Sequence, residues 1–260
     1  MELNKIYNES NIETMSRMPN DFIDLVVTSP PYDGLRKYNG YSFAFEDIAK
    51  ELYRVIKPGG VVVWVVSDQT VNGSESGTSF KQALYFMQCG FNLHDTMIYA
   101  KENPIPLTHN RYEQSFEYMF IFSKGKPKTF NPIMEKTLSP NIKRNRNNSS
   151  KADEASVRNR NENTLSKTEK QASNIWFYVV GEQTDKFNHP AAFPEKLAAD
   201  HIWSWSNEFD LVYDPFMGSG TTAKMAHVYK RNWIGSEISK EYCDIAHKRI
   251  KPYLTQITLF

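Results

Sequence analysis

The strongest constraint on the fold lies between residues 211 and 229. Leu211-Val212-Tyr213 reads as a short strand ending on Asp214, followed by Pro215-Phe216-Met217-Gly218-Ser219-Gly220-Thr221-Thr222 and a helix predicted over Ala223 to Tyr229. A strand, a glycine-bearing turn and a helix in direct succession form the ligand-binding junction of doubly wound sheets, because glycine lets the backbone approach a ligand and turn sharply. A phosphate loop of the GxxxxGK type needs a lysine after its second glycine, and Gly220 is followed by Thr221 and Thr222. ATP and GTP are therefore set aside. Glu237 follows the next predicted strand, Trp233 to Ser236, and stands 19 positions after Gly218. That is close to the offset of roughly 20 residues at which a carboxylate meets ribose hydroxyls.

The rest of the chain repeats the pattern. Asp21 to Thr28 is a β-branched strand stopped by Ser29-Pro30-Pro31, since proline withdraws ladder donors. Phe45, Ile48, Leu52 and Val55 share a helical face, and Pro58-Gly59-Gly60 is expected to turn that helix into the strand VVVWVV at 61 to 66. Phe80, Leu84 and Met87 mark the apolar face of a second helix ending at Gly90, followed by strands at Phe91 to Ala100 and Glu117 to Ser123. Order resumes in the segment Asn174 to Val180, a helix around Phe193 to Trp205, and a last helix capped by Ser239. Strands separated by helices of this length predict an α/β fold with a mostly parallel, Rossmann-like sheet covered on both faces.

Between roughly Lys126 and Ser173 periodicity is lost, and so long a span inside a compact domain is functional or disordered. The expected organisation is a catalytic body of residues 1–123 and 174–260 carrying an inserted recognition segment, 124–173, partly disordered without its partner. Lys124 to Lys170 holds 12 Lys and Arg against five Asp and Glu, a net of +7 in a chain whose total is +1. A basic segment on a mildly acidic body suggests a polyanion, although a solvated polar loop is an equal reading of this feature alone. The hydrophobic share of 40% and charged share of 23% are those of a globular protein. No apolar run approaches the roughly 20 residues of a membrane helix, so the expectation is a cytoplasmic protein without a membrane partner. Cys89 and Cys243 form no CxxC pair and the six histidines form no HExxH, so no metal site is expected.

The second motif is Thr28-Ser29-Pro30-Pro31-Tyr32, at the carboxyl end of the first predicted strand. Ligands in open α/β sheets bind at that edge, and a diproline loop offers carbonyl oxygens with no amide hydrogens of its own, which suits an amino group. Read by itself, Ser-Pro-Pro-Tyr is as readily an exposed turn.

Ser-Pro-Pro-Tyr at 29–32, Lys-Pro-Gly-Gly at 57–60, HPAAFPEKL at 189–197 and DPFMGSGTT at 214–222 together resemble the DNA amino-methyltransferases of restriction–modification type. The order of catalytic motif, recognition region and cofactor motif is that of their β group, and the resemblance spans Ile6 to about Arg249. It implies S-adenosylmethionine as cofactor and double-stranded DNA as partner, and leaves open a cognate restriction endonuclease and a homodimer. It also implies that Ser29, Pro30, Pro31 and Tyr32 form the catalytic loop. Thr28, Asp214, Pro215, Phe216, Gly218, Ser219, Gly220 and Thr221 would line the cofactor, with Glu237 on its ribose. His189, Pro190 and Phe193 would hold the methionine moiety. The position that is usually Gly-Asp reads Asn8-Glu9, which places Glu9 at the adenine contact with altered chemistry. Arg36, Lys143, Arg144, Arg146, Arg158 and Arg160 are the expected DNA contacts.

The implied reaction moves a methyl group onto the exocyclic amino nitrogen of a flipped base, with cytosine N(4) favoured and adenine N(6) as the alternative. Carbon-5 methylation would need a thiolate nucleophile, and neither cysteine sits in a Pro-Cys loop. A non-catalytic DNA-binding module would leave both motifs unexplained, and methylation of RNA or of a protein amide is a substrate alternative on the same fold.

Overall fold

A computed structural model describes residues 1–31, 43–104, 110–137, 168–180 and 194–254. The strands are β1 (Lys5–Tyr7), β2 (Ile23–Thr28), β3 (Ile56–Val66), β4 (Thr70–Val71), β5 (Ser74–Glu75), β6 (Asn92–Lys101), β7 (Phe116–Ser123), β8 (Met134–Lys136), β9 (Glu169–Gln171), β10 (Ile175–Tyr178), β11 (Leu211–Asp214) and β12 (Asn232–Ser236). The helices are α1 (Asn11–Ser16), α2 (Phe45–Val55), α3 (Thr78–Gln88), α4 (Glu195–Trp205), α5 (Thr221–Val228) and α6 (Lys240–Leu254). Eight strands form one sheet in the order β1-β12-β11-β2-β3-β7-β6-β10. Only β7 runs against its neighbours, pairing antiparallel with both β3 and β6.

Period-two alternation in the central strands builds two cores. Leu25, Val27, Val61, Val63 and Val65 face Leu197, Ile202, Ala223, Ala246 and Ile250 of α4, α5 and α6. Val26, Val62, Trp64 and Val66 face Met15, Ile48, Leu52 and Phe86 of α1, α2 and α3. Both faces are thus covered by helices, which explains why these strands are almost wholly apolar. Leu52 is fully buried, and its truncation to Ala would cost on the order of 2–5 kcal/mol.

Two local expectations are corrected. Pro58-Gly59-Gly60 does not end a turn before a strand: β3 begins at Ile56, immediately after α2, and runs through the diglycine. The stretch from Ile56 to Val61 opposes only Ile23 to Leu25 of β2, so the surplus residues are taken up as a bulge. Gly59 carries it at φ +80°, donating its N–H to the Lys124 carbonyl at 2.7 Å. The second correction concerns α3. Phe80, Leu84 and Met87 are 50%, 60% and 46% exposed, whereas Gln82, Ala83 and Phe86 are buried. The helix turns this way because Phe86 stacks on Phe122 at 4.6 Å and Gln82 accepts a hydrogen bond from the Trp64 indole at 2.8 Å.

The N-terminal elements β1 and α1 were without a strand or helix signal in the pattern of apolar residues. Ser10 and Glu13 nevertheless form a capping box on α1, each satisfying the other's backbone N–H.

The chain divides into two compact units, Met1–Asn131 with Asn174–Phe260, and Pro132–Ser173. The first takes in Lys124 to Asn131, which loss of periodicity groups with the insert. Lys124 pairs with Asp21 at 2.7 Å, and Lys128 pairs with the buried carboxylate of Asp24 at 2.5 Å. In the second unit β8 and β9 form an antiparallel pair, Met134 opposite Gln171 and Lys136 opposite Glu169. Among the described residues no helix is long and apolar enough to cross a membrane.

Candidate active site

The sheet order brings both motifs to one edge. β11 lies between β2 and β12, all three parallel, so Thr28, Asp214 and Ser236 emerge side by side at their carboxyl ends. Thr28 donates its hydroxyl to Asp214 Oδ1 at 2.6 Å, a direct bond between motifs 186 positions apart. The same carboxylate oxygen accepts the N–H of Phe216 at 3.0 Å. The Thr222 hydroxyl donates to the Val27 carbonyl at 3.1 Å, a second tie between the glycine loop and β2. Asp214 is only 2% exposed, and burial pushes its carboxyl up to about 6 against the hydrogen bonds from Thr28 and Phe216. It is a brace holding two loops together, and the Thr28 hydroxyl, itself fully buried, is committed to it.

The loop after β11 closes on itself and on β12. Met217 donates to the Ser236 carbonyl at 2.9 Å, Gly220 to the Met217 carbonyl at 2.9 Å, and Gly218 to Glu237 Oε2 at 2.8 Å. Gly220 is the N-cap of α5 at φ +81°, and a Cβ there would stand 2.9 Å from the Cβ of Ala246. Position and space both demand glycine. Ser219 and Thr221, 3% and 4% exposed, turn their hydroxyls away from solvent toward the Arg249 guanidinium, at 2.9 and 3.0 Å. Neither hydroxyl is left to face a ligand.

Glu237 is 8% exposed and accepts N–H bonds on both carboxylate oxygens, from Gly218 at 2.8 Å and from Ser239 at 2.8 Å. Burial raises its pKa. Each oxygen keeps acceptor capacity beyond one N–H, so a pair of ribose hydroxyls fits this carboxylate. The Asn8 amide donates to the carbonyls of Glu237 and Ile238 at 2.9 and 3.0 Å, and Asn11 donates to the Pro215 carbonyl at 3.2 Å. Glu9, in contrast, directs its carboxylate to Arg17 and to the Thr14 hydroxyl, the latter at 2.7 Å. The hydrogen bond from Arg17 holds it below the usual carboxylate range. Phe216 packs with its ring centroid 6.1 Å from that of Trp64 and 5.8 Å from that of Phe43.

At the end of β2, Ser29 is half-buried, Pro30 buried and Pro31 half-buried. Tyr32, Arg36, Lys143, Arg144, Arg146, Arg158, Arg160, His189, Pro190 and Phe193 lie outside the described residues. Cys243 is buried, which pushes its thiol up to about 11, and burial also raises that of Cys89. Neither is a ready thiolate. Sequence reasoning missed Asn11 and the Arg249 guanidinium under the loop, and it named Asn8 only as part of the Asn8-Glu9 departure. Asn11 could have been found from the Ser10–Glu13 capping box, which fixes a helix start beside β1; Arg249 carried no signal beyond its place in an amphipathic helix.

Residues 23–248 match the family described as DNA methylase. The chain belongs to that family. It is 60% identical over 239 residues to M.BamHII, an orphan methyltransferase of Bacillus amyloliquefaciens, with 89% of this chain and 90% of that protein covered. M.BglII of Bacillus subtilis, a type II methyltransferase, is 27% identical over 259 residues, covering 95% of this chain and 68% of its own. In fold the chain is similar to the cytosine-N4-specific PvuII DNA methyltransferase, with a TM-score of 0.70 at 20% identity over 96% of this chain and 90% of the other. It is also similar to M1.HpyAVI in its S-adenosylmethionine complex, with a TM-score of 0.64 at 24% identity over 95% and 98%. The chain is thus a DNA methyltransferase of the amino-methyltransferase family, and S-adenosylmethionine is its methyl donor. The residues fit that donor: an acceptor carboxylate at Glu237 and a backbone that takes left-handed turns at Gly218 and Gly220 beside it.

Proposed function

We propose that this methyltransferase modifies the exocyclic amino nitrogen of a base flipped out of double-stranded DNA at a specific site, and that the base is cytosine, modified at N(4). The observation that carries the reading is the Thr28–Asp214 hydrogen bond, which ties the Ser29-Pro30-Pro31 loop to the glycine loop. S-adenosylmethionine supplies an activated methyl group when bound. What the chain must supply is position, because an amino nitrogen conjugated to a ring is a poor nucleophile. The Ser29 hydroxyl and the Pro30 carbonyl accept hydrogen bonds from the amino group, which orients its lone pair toward the methyl carbon. Tyr32 stacks on the flipped ring. Neither Ser29 nor Pro30 is a strong base; as the N–C bond forms the sulfonium S–C bond would break, leaving the neutral thioether, and the methylated nitrogen, then positively charged, releases its proton to water. Glu237 would hold the ribose of the donor, and His189, Pro190 and Phe193 would hold its methionine end.

Cytosine is favoured over adenine by Ser29 and by its flanks, Thr28 before it and Tyr32-Asp33-Gly34-Leu35-Arg36 after it, which together resemble the cytosine-type loop. The name of M.BamHII supports a chain that works without a paired endonuclease. Arg36 and the basic segment from Lys143 to Arg160 contact DNA phosphates. Nucleoside digestion of methylated DNA with mass spectrometry tests the base: N(4)-methylcytosine is expected, and N(6)-methyladenine without it would overturn the choice of base while leaving amino methylation intact.

A further inference from the structure

Beneath the glycine loop lies a group of charges that the transfer chemistry does not use. Arg249, on α6, has a side chain 2% exposed. Its Nη1 donates to Ser219 Oγ at 2.9 Å, to Thr221 Oγ1 at 3.0 Å and to the Ser219 carbonyl at 3.3 Å. Its Nη2 meets Glu195 Oε1 at 2.6 Å, and Lys224 on α5 reaches the same oxygen at 2.6 Å. Burial would raise the Glu195 carboxyl, but the bonds from Lys224 and Arg249 outweigh it and hold it below the ordinary range.

A buried guanidinium is strongly penalised by desolvation unless its charge and donors are satisfied. The ion pair with Glu195 alone would satisfy the charge. The bonds to Ser219 and Thr221 do something further: they bracket Gly220, the residue at φ +81° on which the turn into α5 depends. Ala246, one turn earlier on the same helix, sits under Gly220 itself. One face of α6 therefore shapes the loop from below, and the rigid guanidinium holds the two hydroxyls on Nη1 and the carboxylate on Nη2 at a fixed separation.

We propose that Arg249 is a positioning residue for methyl transfer. By drawing the Ser219 and Thr221 hydroxyls downward it fixes the loop backbone in the form that receives S-adenosylmethionine, and through Glu195 it locks that form to the start of α4. The proposal rests on reading this loop as the cofactor site.

The test measures S-adenosylmethionine Kd by calorimetry, thermal midpoint, and methyl transfer to DNA for the full chain as wild type, Arg249→Met, Arg249→Lys and Ser219→Ala. Wild-type binding and transfer establish the cofactor reading independently. The expected result is a Kd weakened at least tenfold in Arg249→Met, a smaller loss in Arg249→Lys, and a severalfold loss in Ser219→Ala, which leaves the ion pair intact. Should Arg249→Met not fold, Arg249→Lys and Ser219→Ala decide. Folded variants with a lowered midpoint but wild-type Kd would overturn the proposal, because a merely structural role lowers stability without touching affinity.

Discussion

Replacing Thr28 by Val tests the bond on which the assembly of the two motifs depends. Valine matches threonine in shape and fits the β-strand, so the change deletes one hydroxyl from a site that is fully buried. Asp214 loses the donor at 2.6 Å and keeps the Phe216 N–H at 3.0 Å. A hydrogen bond to a charged group is worth about 1.5–3 kcal/mol. For a protein of this size that corresponds to a fall in Tm of roughly 3–12 °C. The same hydroxyl stabilises the charged carboxylate, so its loss raises the Asp214 pKa further above about 6. Because the folded pKa is already raised, the stability gained from protonating Asp214 is full below its unfolded value of 3.8 and is lost as pH rises through the folded value. In the variant that loss moves to higher pH, so the stability deficit against wild type is larger at pH 8 than at pH 5. Turnover should fall by ten- to a hundredfold, the order expected when reacting groups shift by about 1 Å. Denaturant titrations at both pH values, with steady-state methyl transfer, provide the assay. Wild-type stability together with wild-type turnover would refute the brace.

Other consequences follow from the same geometry. Glu237→Ala should weaken S-adenosylmethionine binding about ten- to a hundredfold by calorimetry, since the lost acceptor is charged; Asp214→Ala should weaken it too, with a larger loss of Tm because the Thr28 hydroxyl and Phe216 N–H are left unpaired. Ser29→Ala should keep wild-type Kd for the cofactor and lose roughly a hundredfold or more in turnover, as removal of an oriented polar group does elsewhere. Deleting residues 143–170 should weaken DNA binding and flatten its salt dependence, measured by anisotropy from low to moderate salt; an unchanged slope would remove the segment from the DNA interface. Lys124 and Lys128, counted in the +7 of the basic stretch, are engaged by Asp21 and Asp24 and should contribute nothing to that slope.

The central strands and their helices were legible because apolar runs such as those at 23–28 and 61–66 are buried on both faces, and such runs advertise themselves. The bulge at Gly59 was not, since a diglycine after a helix reads equally as a turn, and only the pairing of Ile56 with Ile23 decides otherwise. The exposed face of α3 misled for a related reason: Phe80, Leu84 and Met87 have the spacing of a core stripe, and the aromatic stack of Phe86 on Phe122 outcompetes them. At the site, the sequence pointed to Asp214, Glu237 and the glycines through order and spacing. It did not distinguish contact from support. Asp214, Ser219 and Thr221 look alike as polar loop residues, and only burial shows their side chains aimed inward. Arg249 was invisible for the same reason, since a cation on an amphipathic helix is ordinarily a solvated one.

Amino methylation of DNA through Ser29 is tested most directly by transfer of a radiolabelled methyl group from S-adenosylmethionine to a mixture of double-stranded DNA, RNA and protein, with wild type and Ser29→Ala in parallel. Label is expected in DNA alone, on an exocyclic amino nitrogen, without added metal, and nearly absent with Ser29→Ala. Label in RNA or protein with none in DNA, or undiminished labelling by Ser29→Ala, would contradict it.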